Sequence, residues 1–140
     1  MLPAEGDLRR VIGDGGAIPD GEVDGLGAEE LLALYRNLVL LRTYDERSVI
    51  YHRQGRIGTY AIFWNHEAMQ AGSVFALEDR DWIFPAYRES AIGLLRGMPV
   101  STVLSWWRGH PAGWWNPPDY GVASYTASTS TPSTRTPGIP

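Results

Sequence analysis

Residues 28–54 read AEELLALYRNLVLLRTYDERSVIYHRQ. Leu31, Leu34, Leu38 and Leu41 recur at spacings of three and four, which places them on one face of a helix. Leu32, Tyr35 and Val39 widen that face. Glu29 and Glu30 fall in the first turn, where carboxylates complement the helix dipole. Gly55 follows as a stop, because glycine adopts the left-handed conformation that closes a helix. The pattern predicts one helix over Ala28–Gln54, roughly 40 Å long at 1.5 Å per residue. That is long for one small domain, so the helix is expected to lie across a larger body.

Downstream, residues 55–64 form a glycine-punctuated apolar loop. Asn65 is placed to cap a second helix running to about Leu77, with Glu67 in its first turn. Ala68, Ala71, Gly72 and Ser73 give it a small-residue face, and that face is expected to be buried. Asp79-Arg80-Asp81 reads as a turn, and Trp82-Ile83-Phe84 as a short apolar run ended by Pro85. A third helix is expected from about Glu89 to Arg96 and a fourth from Val100 to Trp107. Arg108 to Pro118 is a loop rich in helix breakers.

The two ends differ in composition. Residues 1–27 are rich in Gly, Asp and Pro without sustained periodicity, and are expected to be a mobile leader. Residues 123–138 are almost entirely Ser, Thr, Pro and Ala. Such a segment cannot bury enough apolar surface to offset its ordering entropy, so 123–140 is expected to be a disordered tail. Between them lies one domain, residues 28–122, mainly helical.

Composition narrows the function. The chain has 140 residues, 44% of them hydrophobic, and a formal net charge of −4. Mild acidity argues against a nucleic-acid surface. With no cysteine, disulfide scaffolds, thiolate metal sites and cysteine nucleophiles are excluded. His52, His66 and His110 form no ligand-spaced pair. No run approaches the roughly 18 apolar residues of a membrane span. The first residues lack the basic start and apolar stretch of a signal peptide. The expected setting is soluble and cytoplasmic, with no nucleic-acid or membrane partner.

Several short stretches carry a resemblance in order: Leu34-Tyr35-Arg36, Leu40 to Arg47, Arg53 to Ala61, His66-Glu67-Ala68, Trp82 to Glu89, and Arg108-Gly109-His110. Together they resemble the N-terminal part of the alpha subunit of a thiamine-diphosphate-dependent 2-oxo acid dehydrogenase, of the pyruvate or branched-chain type. The resemblance implies a doubly wound α/β thiamine-diphosphate-binding fold, of which residues 28–122 would be an incomplete part. It implies an α2β2 heterotetramer with the cofactor between alpha and beta subunits. It implies oxidative decarboxylation of a 2-oxo acid, with the acyl group passed to a lipoyl-bearing acyltransferase. The Ser/Thr/Pro tail departs from the family after Tyr120-Gly121-Val122, which suggests a reading-frame shift or a truncated gene. On that reading the chain is inactive alone.

Tyr87-Arg88 is the foremost candidate for chemistry. A helix beginning just after Arg88 would present N–H groups to an anion. Arg88 can add a bidentate contact to a diphosphate oxygen, and Tyr87 a hydroxyl; in the family the matching pair contacts the cofactor's diphosphate. The competing reading is a surface arginine beside Glu89. Thr59-Tyr60 matches a loop lining the family's cofactor cavity. Thr59 stands where some relatives have an aromatic residue, so Tyr60 either serves instead or is simply a buried loop tyrosine. Glu67 is read as a first-turn dipole partner, and Trp106, Trp107, Trp114 and Trp115 as an interface cluster.

Gly13-Asp14-Gly15 mimics the start of the family's magnesium motif, but it lies in the leader, and Asn37 at about the right distance falls mid-helix. No metal ligand is therefore assigned; magnesium ligands are expected beyond residue 140. Two rival readings remain: a non-catalytic remnant that binds a beta-like partner, and a helical interaction module.

Overall fold

A computed structural model describes residue 16 and residues 25–123. The chain divides into two compact units, residues 1–32 and 33–140. The expected leader, its Gly13-Asp14-Gly15 triplet and the Ser/Thr/Pro tail lie almost wholly outside the described residues.

In the first unit the described segment is the start of helix α1 (Ala28–Arg53). Gly27 N–H donates to Glu30 Oε2 at 2.7 Å and its carbonyl accepts from Leu31 N–H. A first-turn carboxylate thus satisfies a donor that the helix itself cannot.

The second unit contains the rest of α1, then α2 (Glu67–Phe75), α3 (Ile92–Leu95), α4 (Val100–Trp107) and α5 (Pro117–Tyr120). Single 3-10 turns lie at Tyr87–Glu89 and Pro111–Gly113. α1 ends at Arg53, one residue before the expected Gln54. Gly55 N–H donates to His52 O and Arg56 N–H to Tyr51 O, with Gly55 at φ 70°. This crossed pair of bonds needs a left-handed residue between its members. α4 closes through the same pair at Gly109 and His110.

Leu41, Tyr44, Ile57, Phe63, Ala71, Ala91, Leu94, Met98, Val103 and Trp107 form the core. α2 packs on α3, α3 on α4, and α4 on the Pro111–Gly113 turn. A run of rings crosses this core: Phe63, Tyr44, Tyr60, Trp107, Trp106 and Trp115, each with its centroid 4.7–6.4 Å from the next. Every contact but the Tyr44–Phe63 stack is edge-to-face, a favoured arrangement for aromatic quadrupoles.

Among the described residues no regular strand forms. Ile83 makes one parallel bridge to Val122, through Ile83 N–H to Gly121 O at 2.8 Å and Ala123 N–H to Ile83 O at 2.9 Å. The mainly helical fragment is therefore observed, while the full α/β fold is not displayed by these residues.

Five expectations need correction. The leucine stripe of α1 is buried only toward its C-terminal half: Leu41 is enclosed, Leu34 and Leu38 are half-buried, and Leu31 is exposed. The buried face continues instead through Tyr44, Asp45 and Ser48. Asn65 caps nothing. It takes the left-handed conformation at φ 70°, which asparagine tolerates, and α2 starts two residues later. On α2 the enclosed residues are Glu67, Gln70 and Ala71; Ala68, Gly72 and Ser73 are exposed. The third helix does not span Glu89–Arg96. A 3-10 turn precedes a four-residue helix, because hydrogen bonds close over three residues at Glu89 and Leu94. Finally, Trp106, Trp107 and Trp115 pack within the body, and only Trp114 of the four is exposed.

Gly113 is enclosed where its 3-10 turn meets α4. A Cβ built there would overlap the backbone of Ser105 and Trp106. Helix backbone cannot yield as a side-chain tip can. Gly113→Ala should therefore lower unfolding stability by about 1–3 kcal/mol, the usual cost of overpacking. Urea denaturation should show this as a lower midpoint at unchanged slope.

Candidate functional site

The loop between α1 and α2 is held from beneath by Asp45. This side chain is wholly enclosed. Its Oδ1 accepts from the Tyr60 hydroxyl at 2.8 Å and from Phe63 N–H at 3.1 Å. Phe63 is itself fully buried, so its N–H requires a partner inside the protein. Burial, with Tyr44 and the Asp45 bond assisting, pushes the Tyr60 phenol well above its ordinary range. Tyr44 is raised too, chiefly by burial. Ser48 and Trp107 approach its hydroxyl and partly oppose that rise, but neither meets hydrogen-bond geometry, and the Tyr44, Ser48 and Trp107 polar atoms have no such partner among the described residues.

Arg88 reaches the same loop from the Tyr87–Glu89 turn. Its Nη1 donates to the Ile62 carbonyl at 2.6 Å. Its own carbonyl faces the enclosed Gln70 amide at 3.5 Å. The guanidinium lies 5.8 Å from the Tyr87 ring, and Tyr87 is 59% exposed. Arg88 therefore does not precede a helix able to hold an anion; it sits in a single 3-10 turn. What remains is the guanidinium, whose further N–H donors are directed by the Ile62 anchor.

Thus Arg88 bonds to the loop that carries Tyr60, and Tyr87 stands beside Arg88 in the chain. Tyr60 is half-buried and its proton is committed to Asp45.

Glu67 stands in the first turn of α2, as read, and does more. Its side chain is 6% exposed and pairs with Arg42 at 2.5 Å, while Arg42 lies 4.1 Å above the Trp64 ring. Arg42 holds the Glu67 carboxyl below the ordinary 4.5, and the backbone N–H groups of Glu67 and Asn65 act the same way. These two residues line an open groove of about 470 Å³ with Leu38, Val39, Thr43, Asn65 and Ala68. None of the three candidate residues borders it. His110 serves as a cap, accepting from Ala112 N–H at 3.1 Å.

Arg42, Asp45 and Gln70 were not singled out from sequence. One signal was available for Asp45: with Ser48 it continues the Leu34, Leu38, Leu41 spacing, and a polar residue on an apolar stripe demands a buried partner. Among the described residues no three His, Asp or Glu side chains gather to hold a metal. No helix there is long and apolar enough to cross a membrane.

Residues 35–128 match the dehydrogenase E1 component family, and the chain belongs to that family. It is 37% identical over 97 residues to a Staphylococcus epidermidis protein described as pyruvate dehydrogenase E1 component subunit alpha, and 36% identical to the Staphylococcus aureus protein of the same description. Those alignments take in 69% of this chain and 26% of each relative. The chain thus spans about a quarter of the length of the curated relatives it matches.

The Arg42–Glu67 pair fixes a pH dependence. The folded pKa of Glu67 is depressed, so its contribution to stability is complete above the ordinary 4.5. It is lost as pH falls through the lower folded value. Glu67→Gln should flatten the decline of melting temperature between about pH 5 and 3, within the range where carboxylates titrate. Equal slopes for wild type and variant would contradict this.

Proposed function

We propose that this chain supplies the diphosphate-facing N-terminal part of the alpha subunit of a thiamine-diphosphate-dependent 2-oxo acid dehydrogenase of the pyruvate type. Such an enzyme oxidatively decarboxylates a 2-oxo acid and passes the acyl group to a lipoyl-bearing acyltransferase. The observation that carries the reading is the Arg88 guanidinium, anchored by the Ile62 carbonyl beside an exposed Tyr87. Family membership and the names of the two staphylococcal relatives support it.

The residues present fit the charged end of the cofactor. A guanidinium carries five N–H donors in a fixed fork, and only one is engaged by Ile62. The others suit phosphate oxygens bidentately. Tyr87 adds an exposed hydroxyl. Tyr60 contributes a ring wall, since its hydroxyl already donates to Asp45. The cofactor, held at its diphosphate end by Arg88 and Tyr87, would supply the nucleophilic carbon and the electron sink that decarboxylation of a 2-oxo acid needs. This chain's part is to hold the anion and exclude water beside it. Magnesium, which the same reading brings, has no ligand set among the described residues.

A beta subunit completes the site on this reading. Exposed aromatic surface at Trp64, Trp82 and Phe84 (80% exposed) is of the kind that an assembly covers.

Two outcomes are expected. In the chain assembled with a beta subunit, Arg88→Ala should weaken thiamine diphosphate binding by about 1.5–3 kcal/mol, or roughly 10- to 150-fold. Arg88→Lys should recover only part of that, because a point charge lacks the fork. Calorimetry showing unchanged affinity would overturn the assignment. The chain alone, given thiamine diphosphate, magnesium, pyruvate and an artificial electron acceptor, should release carbon dioxide no faster than buffer, since the partner holds half of the site. Turnover above that control would place the active site elsewhere.

A further inference from the structure

Asp45 is a buried acid that the reading above does not use. Its Oδ1 takes two hydrogen bonds from two ends of one short arc: the Tyr60 hydroxyl and Phe63 N–H. Between those ends lies Ile62, whose carbonyl receives the Arg88 guanidinium. One acceptor atom in the core therefore pins residues 60–63, and that arc in turn aims Arg88. We propose that Asp45 is a positioning residue for the diphosphate-binding arginine. It acts through the 60–63 arc and never touches the ligand. The proposal rests on reading Arg88 as the diphosphate contact.

Packing alone does not achieve this. The Phe63 and Tyr60 rings lie in the aromatic run beside Tyr44 and Trp107. Ring contacts hold the rings, but they have little hold on which way the peptide planes between them face. Hydrogen bonds are directional and do set this. The Ile62 carbonyl points at Arg88 only while the arc keeps its turn. Without an acceptor at position 45, the Phe63 N–H would be buried and unpaired, and the backbone would rotate to find another partner. Gln70 meets only the Arg88 carbonyl, at a long 3.5 Å, so it does not replace the Ile62 anchor on the guanidinium.

Both bonds go to a single oxygen, which makes the device separable from the acid's charge. An asparagine carries an equivalent amide oxygen at nearly the same place. Asp45→Asn should therefore preserve the arc, whereas Asp45→Ala should release it. Tyr60→Phe removes one of the two bonds and keeps the ring.

The test measures amide exchange in the full 140-residue chain by mass spectrometry. In Asp45→Ala, exchange should quicken roughly three- to ten-fold at both 60–63 and 87–90, the scale of one lost hydrogen bond. α4 should stay protected. Asp45→Asn should match wild type at both places. Tyr60→Phe should show the same coupled loosening to a smaller degree, and it decides the matter if Asp45→Ala does not fold. Loosening confined to 60–63 would overturn the proposal. So would equal loosening of α4, or an Asp45→Asn variant as open as Asp45→Ala.

Binding of magnesium pyrophosphate to the same proteins, followed by phosphorus NMR, separates the two claims. If Arg88→Ala binds as wild type does, the diphosphate reading falls, and the exchange pattern still decides whether Asp45 sets the arc. If Arg88→Ala weakens binding and Asp45→Ala does not, the positioning role falls alone.

Discussion

A carboxyl group with no exposed surface must find its hydrogen bonds inside the protein. Asp45 meets that demand with two donors from one loop, and much of the second unit follows from the choice. The bond to Phe63 N–H draws a fully buried ring beside Tyr44 and Leu41. The bond to Tyr60 brings a second ring against Trp107, which links α1 to α4. The loop so fixed leaves one carbonyl, that of Ile62, turned toward Arg88. A polar group placed among apolar ones costs stability unless it is satisfied, and in return it selects one loop geometry among many. Here the selected geometry is the one that presents the basic side chain.

The price of that selection is visible nearby. Asp45 Oδ2, Tyr44 OH, Ser48 Oγ and Trp107 Nε1 are all enclosed and lack hydrogen-bond partners among the described residues. Burial holds the two phenols in their protonated form, since it disfavours the phenolate. The Arg42–Glu67 pair is a contrasting solution on the same helix. One partner remains 38% exposed and lies over Trp64, so the pair joins α1 to α2 at the surface, where water still shares the charge.

How much of this could be read from the sequence varied by element. α4 has the expected bounds, and α1 ends one residue earlier than expected, because leucine spacing and the glycine after each helix are local signals. The buried extent of α1 was not readable. Periodicity says that Leu31 and Leu41 share a face, but it does not say which of them has something to pack against. Asn65 looked like a cap because asparagine serves both caps and left-handed turns, and only the following backbone decides between them. The helix foreseen at Glu89–Arg96 breaks into a 3-10 turn and one α-turn, so its supposed anion-binding end does not exist. Arg88 was singled out from residue type and resemblance. Its anchor was not, since a bond from residue 88 to a carbonyl at 62 leaves no local trace.

The bridge between Ile83 and Val122 joins residues about 40 apart. Closing a flexible loop of that length costs on the order of 3 kcal/mol in chain entropy beyond a constant. Two backbone hydrogen bonds return roughly 1–3 kcal/mol net. The bridge therefore cannot close first. α3, α4 and the Pro111–Gly113 turn must already be packed, which shortens the effective gap between its ends. In the order of folding it is a late event, and in native-state fluctuations an early one to open. The Val122 carbonyl, beside the bridge, accepts from the Trp115 indole at 2.9 Å. The far end of the aromatic run should thus breathe with this bridge, while the Asp45 end stays closed.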